Sequence, residues 1–216
     1  KVLGEAVAEI RRFADDEELP PGYSFAFAGR ADTMAESMAN LSFAMVLGIV
    51  IVYMVLASQF ESFIHPFTIM LSVPLSVIGA IGALAWTGVT VNIYTMIGMI
   101  LLVGLVTKNG ILLVDRMNAL RKDRGLDLEA AVLEAGPVRL RPILMTTMAM
   151  ISGMLPVALA RGEGSESRAP MAVAVIGGLV TSTVLTLLVV PVAYTIFDDL
   201  AHPGRWRLVR LLRRAR

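Results

Sequence analysis

From residue 41 onward the chain runs in long apolar blocks separated by short polar ones, whereas residues 1–36 mix polar and apolar positions at short range. In the N-terminal stretch, EAVAEIRRFADDEELP has the spacing of an amphipathic helix, stopped by Pro20 and Pro21. GYSFAFAG then alternates with period two through Tyr23, Phe25 and Phe27, which predicts a short strand. A helix and one strand bury too little surface to fold alone. Residues 1–36 are therefore expected to be the end of a water-exposed domain completed elsewhere.

Five later blocks reach the length of about 20 apolar residues that a membrane crossing needs. They are Leu41–Phe60, Pro66–Trp86, Val91–Met117, Pro142–Ala160 and Pro170–Phe197. The last is long enough to tilt or to project past the bilayer. The expected fold class is an all-α membrane protein with five transmembrane helices over 37–200. It is preceded by a short α/β remnant over 1–36 and followed by a basic tail over 201–216.

Composition agrees with that pattern. The 216 residues are 56% hydrophobic and 17% charged, against about 45–50% and 25% in soluble domains. Mean hydropathy is +0.71. There is no cysteine, which removes disulfides, thiolate catalysis and thiolate metal sites. The first forty residues lack a basic segment followed by an apolar core, so they do not read as a signal peptide. A chain starting at Lys1 is expected to be a piece of a larger protein.

Net charge is only +1, so its distribution carries the information. Segment 116–141 holds Arg116, Arg121, Lys122, Arg124, Arg139 and Arg141, and the tail holds six arginines from Arg205 to Arg216. The 161–169 loop has only Arg161 and Arg168. The positive-inside rule puts the 116–141 loop and the C-terminus in the cytoplasm and residues 1–36 on the other side. Within that loop DLEAAVLEAGP predicts a short helix on the membrane surface. Asp127 is its N-cap, Leu128, Ala131, Val132 and Ala135 share a face, and Gly136–Pro137 ends it.

Small residues recur at four-residue spacing in two spans: Ser72, Ser76 and Ala80 with Gly79 and Ala83, and Ala174, Gly178 and Ser182 with Gly177 and Thr181. Such seams let helices approach closely in lipid, as ordinary packing or as sliding surfaces. Pro74, Pro156 and Pro191 each free a carbonyl and can bend their spans.

Lys108 lies about halfway along the third span. A charge there costs about 2.5 kcal/mol or more, and it is too far from the helix end to snorkel. Asp115, seven residues on, shares its side of the helix but lies about 10 Å away along the axis. No other carboxylate falls inside the five spans. Either Lys108 is neutral, or its partner belongs to a part of the protein outside this chain. Three roles fit such a lysine: fixing helix register through backbone carbonyls, taking part in an ion or proton relay, or holding an aldehyde as a Schiff base. The last would need a counter-ion and an aromatic-walled pocket.

GLVTKNGILLVD (104–115), RLRPILMTT (139–147), GGLVTSTVLTLLVVPV (177–192) and ASQFESFIHPFTIMLSVPLSVIGA (57–80) together resemble the second membrane half of resistance-nodulation-division (RND) efflux transporters. GYSFAFAGR (22–30) is similar to the end of their periplasmic porter domain. The likeness covers roughly residues 1–200, and the TKN form resembles the hydrophobe/amphiphile branch, which exports drugs, detergents and bile salts.

The resemblance implies that Lys108 pairs with aspartates of the first membrane half, absent here. It also implies that Thr146 is a hydroxyl partner in the proton relay and that Arg139 lies on the cytoplasmic proton path. Read from the residues alone, Thr146 is a threonine bonding back to its own helix. Pro142 between Arg139 and Thr146 interrupts the regularity that would put them on one face. Asn109 either hydrogen-bonds across helices or packs. The family works as a homotrimer in the bacterial inner membrane, docked to a periplasmic adaptor and an outer-membrane channel. Protons are its coupling ion and it needs no cofactor.

A heavy-metal exporter or a non-transporting structural or sensing module of the same superfamily is the rival reading. Met145, Met148, Met150 and Met154 read as apolar filler rather than a metal path. His65 and His202 lack neighbours that suggest catalysis, so no enzyme is expected, and no metal site. The tail RWRLVRLLRRAR reads as a topology anchor that touches anionic lipid, not as a nucleic-acid site.

Overall fold

A computed structural model describes residues 9–10, 12–13, 30–159 and 165–201. Six helices run along the main described part: α1 (Arg30–Phe60), α2 (Ile64–Met70), α3 (Ser72–Thr87), α4 (Ile93–Arg124), α5 (Leu128–Ala158) and α6 (Ser165–Ala201). They form five segments long and apolar enough to cross a membrane, with α2 and α3 together making the second. This is the all-α, five-span architecture expected from the sequence. The strand expected over 22–29, most of the N-terminal helix and the basic tail from 202 lie outside the described residues.

The second span breaks at Leu71, three residues before Pro74. Proline has no N–H for the carbonyl four residues back, and its ring crowds that carbonyl. Ser72 and Ser76 lie beside the break, and their hydroxyls donate to the Ile69 and Val73 carbonyls at 2.6 Å.

Helix α4 starts sharply. The Asn92 side chain accepts from the Thr95 N–H at 2.9 Å, and the Thr95 hydroxyl lies 3.3 Å from the Asn92 N–H, a reciprocal capping box. The helix ends at Gly125, whose φ of 61° is left-handed. Arg121, Lys122 and Arg124 occupy its last turn, where cations complement the helix dipole. Its 32 residues span about 48 Å at 1.5 Å per residue, well beyond a hydrocarbon core of about 30 Å. The connection to α5 is thus only residues 125–127, and the long loop expected after residue 117 is largely helix.

A second correction concerns α5. The expected surface helix does not stop at Gly136–Pro137; it continues through Pro137, Pro142 and Pro156 to Ala158 as one element. Asp127 sits at its N-cap position without a side-chain cap bond. The predicted apolar face is real, but it packs on the bundle. Ala131 and Ala135 are buried among Leu113, Val114, Met117 and Leu120, with Leu128 and Val132 against them. Further on, α5 also buries Ile143 and Thr147. Packing contacts on both sides of Pro137 and Pro142 therefore hold the helix against the bundle.

Two apolar clusters make the core. One joins Leu56, Ile69, Leu113 to Leu120, Ala131, Ala135, Val190 and Tyr194. The other joins Ala80, Leu84, Leu102, Val106, Ala174, Val175 and Leu179. The most extensive contact is between α3 and α6, along the small-residue seams. A Cβ at Gly79 would overlap the Thr181 side chain, and one at Gly177 would overlap Ala83. By contrast, among the described side chains of α1 only Leu56 is buried, and Phe43, Val50, Met54 and Val55 are exposed.

Candidate relay site around Lys108

Helix α4 has two unlike faces. Leu102, Val106, Asn109, Leu113 and Met117 point into the bundle. Ile97, Leu101, Gly104, Lys108 and Asp115 are exposed on the opposite side. Their spacing of three, four and seven residues makes this one stripe on a 3.6-residue helix. Lys108 therefore stands midway along an apolar helix, on a face that none of the described helices covers. It has no hydrogen bond or ion pair among the described residues.

Asn109, its neighbour in sequence, points the other way. It is 1% exposed, and its Oδ1 is buried with no protein partner. Arg139 and Thr146 share the unbroken α5, so Pro142 does not separate them. They are seven residues apart, about 10 Å along one side of the helix. Thr146 is half-buried, and its hydroxyl donates to the Ile143 carbonyl at 3.0 Å, the local back-bond expected of a helical threonine. Arg139 is half-buried with its Nε buried and unpartnered. The structure thus pairs Arg139 with Thr146 on one helix and separates Lys108 from Asn109 by orientation. No hydrogen bond or ion pair among the described residues joins any two of the four.

The sequence matches the AcrB/AcrD/AcrF family over residues 1–198. The chain belongs to this family of RND transporters. It is 40% identical over 198 residues to an uncharacterized transporter of Haemophilus influenzae, covering 89% of this chain and 19% of that protein. It is 37% identical over 203 residues to the multidrug resistance protein MdtC of Pectobacterium carotovorum, covering 94% and 20%. The fold matches two crystal forms of a heavy-metal efflux pump with TM-scores of 0.78 and 0.77, at 31% and 30% identity. The match covers 90% and 91% of this chain and 20% and 19% of the pump. The chain spans about one fifth of the length of these relatives.

In this AcrB/AcrD/AcrF-family bundle the densest polar cluster is one that the sequence did not reveal. Arg121 Nη1 donates to Tyr194 Oη and to Asp198 Oδ1, both at 2.9 Å, and Nη2 reaches Asp198 Oδ2 at 3.3 Å. Tyr194 donates onward to Asn118 Oδ1 at 2.6 Å. His65 stacks on the Tyr194 ring with centroids 5.4 Å apart. The cluster ties the ends of α4 and α6 to the start of α2. The only sequence signal was an arginine and an aspartate near the ends of two spans; their pairing depends on helix register. The Thr147–Thr183 hydroxyl pair, 3.1 Å apart across α5 and α6, was missed for the same reason.

Proposed function

We propose that this chain supplies the second membrane half of a bacterial inner-membrane pump that exports hydrophobic or amphiphilic compounds in exchange for protons. The observation that carries this reading is Lys108: a cation midway along a membrane span, exposed on a face no described helix covers, and without a hydrogen bond or ion pair among the described residues. A charge held at that depth needs a carboxylate against it, and the outward stripe of α4 offers the surface on which a helix bearing one would pack. In this reading, protonating carboxylates of the first membrane half releases Lys108. The lysine then reorients toward Thr146 on α5, with Arg139 on the cytoplasmic side of the path. The resulting helix shift drives substrate out through the periplasmic domain, to which residues 1–36 belong. The pump is a homotrimer working with a periplasmic adaptor and an outer-membrane channel. The 116–141 segment and the C-terminus face the cytoplasm, and no cofactor takes part.

Family membership and the multidrug resistance protein MdtC among the relatives support export of drug-like compounds. The heavy-metal efflux pump matched in fold favours a second reading, in which the cargo is a metal ion. One experiment separates them. Cells carrying the full-length protein, with Lys108 intact or replaced by Ala, are assayed for accumulation of dyes, detergents and metal ions, with and without a protonophore. Lowered dye accumulation that both the protonophore and Lys108→Ala abolish is the expected result. Lowered metal accumulation alone would select the second reading, and indifference to Lys108→Ala would sink the relay.

A further inference from the structure

The parallel helices α4 and α6 meet in a constant register. Partners on α6 lie 73 to 77 positions after those on α4: Gly98 meets Met171, Leu102 meets Gly178, Asn118 bonds Tyr194, and Arg121 bonds Tyr194 and Asp198. The same interval carries Asn109 to Ser182 and Thr186. On α6, Gly178, Ser182 and Thr186 are four residues apart and so form one stripe, and Gly178 packs directly on Leu102 of α4. Asn109 therefore faces Ser182 and Thr186, near the middle of both helices.

Two polar atoms are stranded there. Asn109 Oδ1 and Thr186 Oγ1 are both fully buried without a protein partner. The other buried hydroxyls of the seam are satisfied: Thr107 donates to the Val103 carbonyl at 2.9 Å, Ser182 to Leu179 at 3.1 Å, and Thr183 shares its bond with Thr147. Among the described residues Thr186 Oγ1 is the one fully buried hydroxyl oxygen without a hydrogen-bond partner. Leaving such groups dry is costly, because each gives up its bonds to water and gains none in return. Buried waters typically make about three bonds to groups of this kind.

We infer that Asn109, Thr186 and Ser182 hold a buried water between α4 and α6, and that this bridge is a working joint of the transporter. The water accepts from the Thr186 hydroxyl and donates to Asn109 Oδ1 and to the free lone pair of Ser182 Oγ. A direct Asn–Thr bond would fix one register. A bridging water keeps both groups satisfied while α4 shifts against α6, because it moves and rotates with them. Thr186 is thus a positioning residue, acting through Asn109 on the helix that carries Lys108. The inference rests on the proton-coupled reading above.

The test uses the full-length protein in proteoliposomes, measuring substrate-dependent proton influx per folded protein, beside its melting temperature. Thr186→Val keeps the shape and removes the hydroxyl; Thr186→Ser restores it. The expected result is a loss of about fivefold in coupled transport for Thr186→Val, near wild-type transport for Thr186→Ser, and a folded protein in both cases. Should Thr186→Val fail to fold, Thr186→Ala serves the same comparison. A high-resolution map of the same protein is expected to show ordered water between Asn109 and Thr186. Wild-type transport by Thr186→Val, or a direct Asn109–Thr186 contact in the map, overturns the inference. Lys108→Ala is measured in parallel. If it stops transport while Thr186→Val does not, only the joint fails; if Lys108→Ala transports normally, the relay reading fails with it.

Discussion

Arg121 grips Asp198 through both guanidinium nitrogens, 2.9 and 3.3 Å from the two carboxylate oxygens, and the pair is mostly shielded, with side chains 20% and 10% exposed. Its hydroxyl neighbour Tyr194 accepts from the same Nη1 and donates to Asn118. Arg121, Asp198, Tyr194 and Asn118 are thus all hydrogen-bonded at the point where α4 and α6 end together, while the Nδ1 of the stacked His65 is buried without a hydrogen bond among the described residues. Removing one member of a shielded pair leaves the other charge uncompensated, which costs roughly 3 kcal/mol. Asp198→Asn should therefore lower the melting temperature of the full-length protein clearly. Tyr194→Phe, which forfeits hydroxyl bonds alone, should cost nearer to about 1 kcal/mol. Thermal unfolding in detergent checks the order; equal effects would mean that the ion pair is not the core of the knot.

The α3–α6 seam makes a sharper steric prediction. A methyl group at Gly177 would overlap the Ala83 side chain and crowd the Gly79 carbonyl, which is backbone and cannot swing aside. Gly177→Ala should destabilise by about 1–3 kcal/mol, the usual cost of overpacking. Gly82→Ala on the exposed side of α3 meets nothing within 4 Å and should be neutral or slightly stabilising. The two variants differ by one methyl group each, so their melting temperatures isolate close approach from helix propensity.

Thr146 separates packing from relay. Its hydroxyl bonds only to its own helix and the side chain is half-buried, so Thr146→Ala should leave stability within about 0.5 kcal/mol of wild type. If the hydroxyl receives Lys108 during the cycle, the same variant should lower proton-coupled efflux by about tenfold or more, with Thr146→Ser retaining activity. Efflux assays at matched expression read this directly. Wild-type efflux by Thr146→Ala would leave Thr146 as a back-bonding threonine.

At the start of α4, Asn92 closes a reciprocal capping box with Thr95. Asn92→Ala should cost about 1 kcal/mol, while Asn92→Asp, which keeps an acceptor at the helix N-terminus, should hold most of it. Melting temperatures of the two variants test this, and equal losses would show that the cap contributes through Thr95 alone.

The sequence by itself determined the number of spans, the class of fold and the place of Lys108 midway along the third span. Those properties follow from local quantities: twenty apolar residues suffice to cross a bilayer, and one lysine among them is costly wherever the helix is placed. It also marked both small-residue seams, which the structure packs against each other. It misjudged α5, because a local stop signal at Gly136–Pro137 was weighed without the packing of Ala131, Ala135, Ile143 and Thr147 that overrides it. Only the tertiary structure decided which way α4 is turned, and hence that Lys108 faces out while Asn109 is buried in the bundle. The same rotation and axial register bring Arg121 to Asp198 across 77 positions of chain. Helical periodicity assigns residues to faces, but an apolar helix with small residues on several sides offers no clear inward stripe to sequence reading. Its orientation is settled by how neighbouring helices interlock.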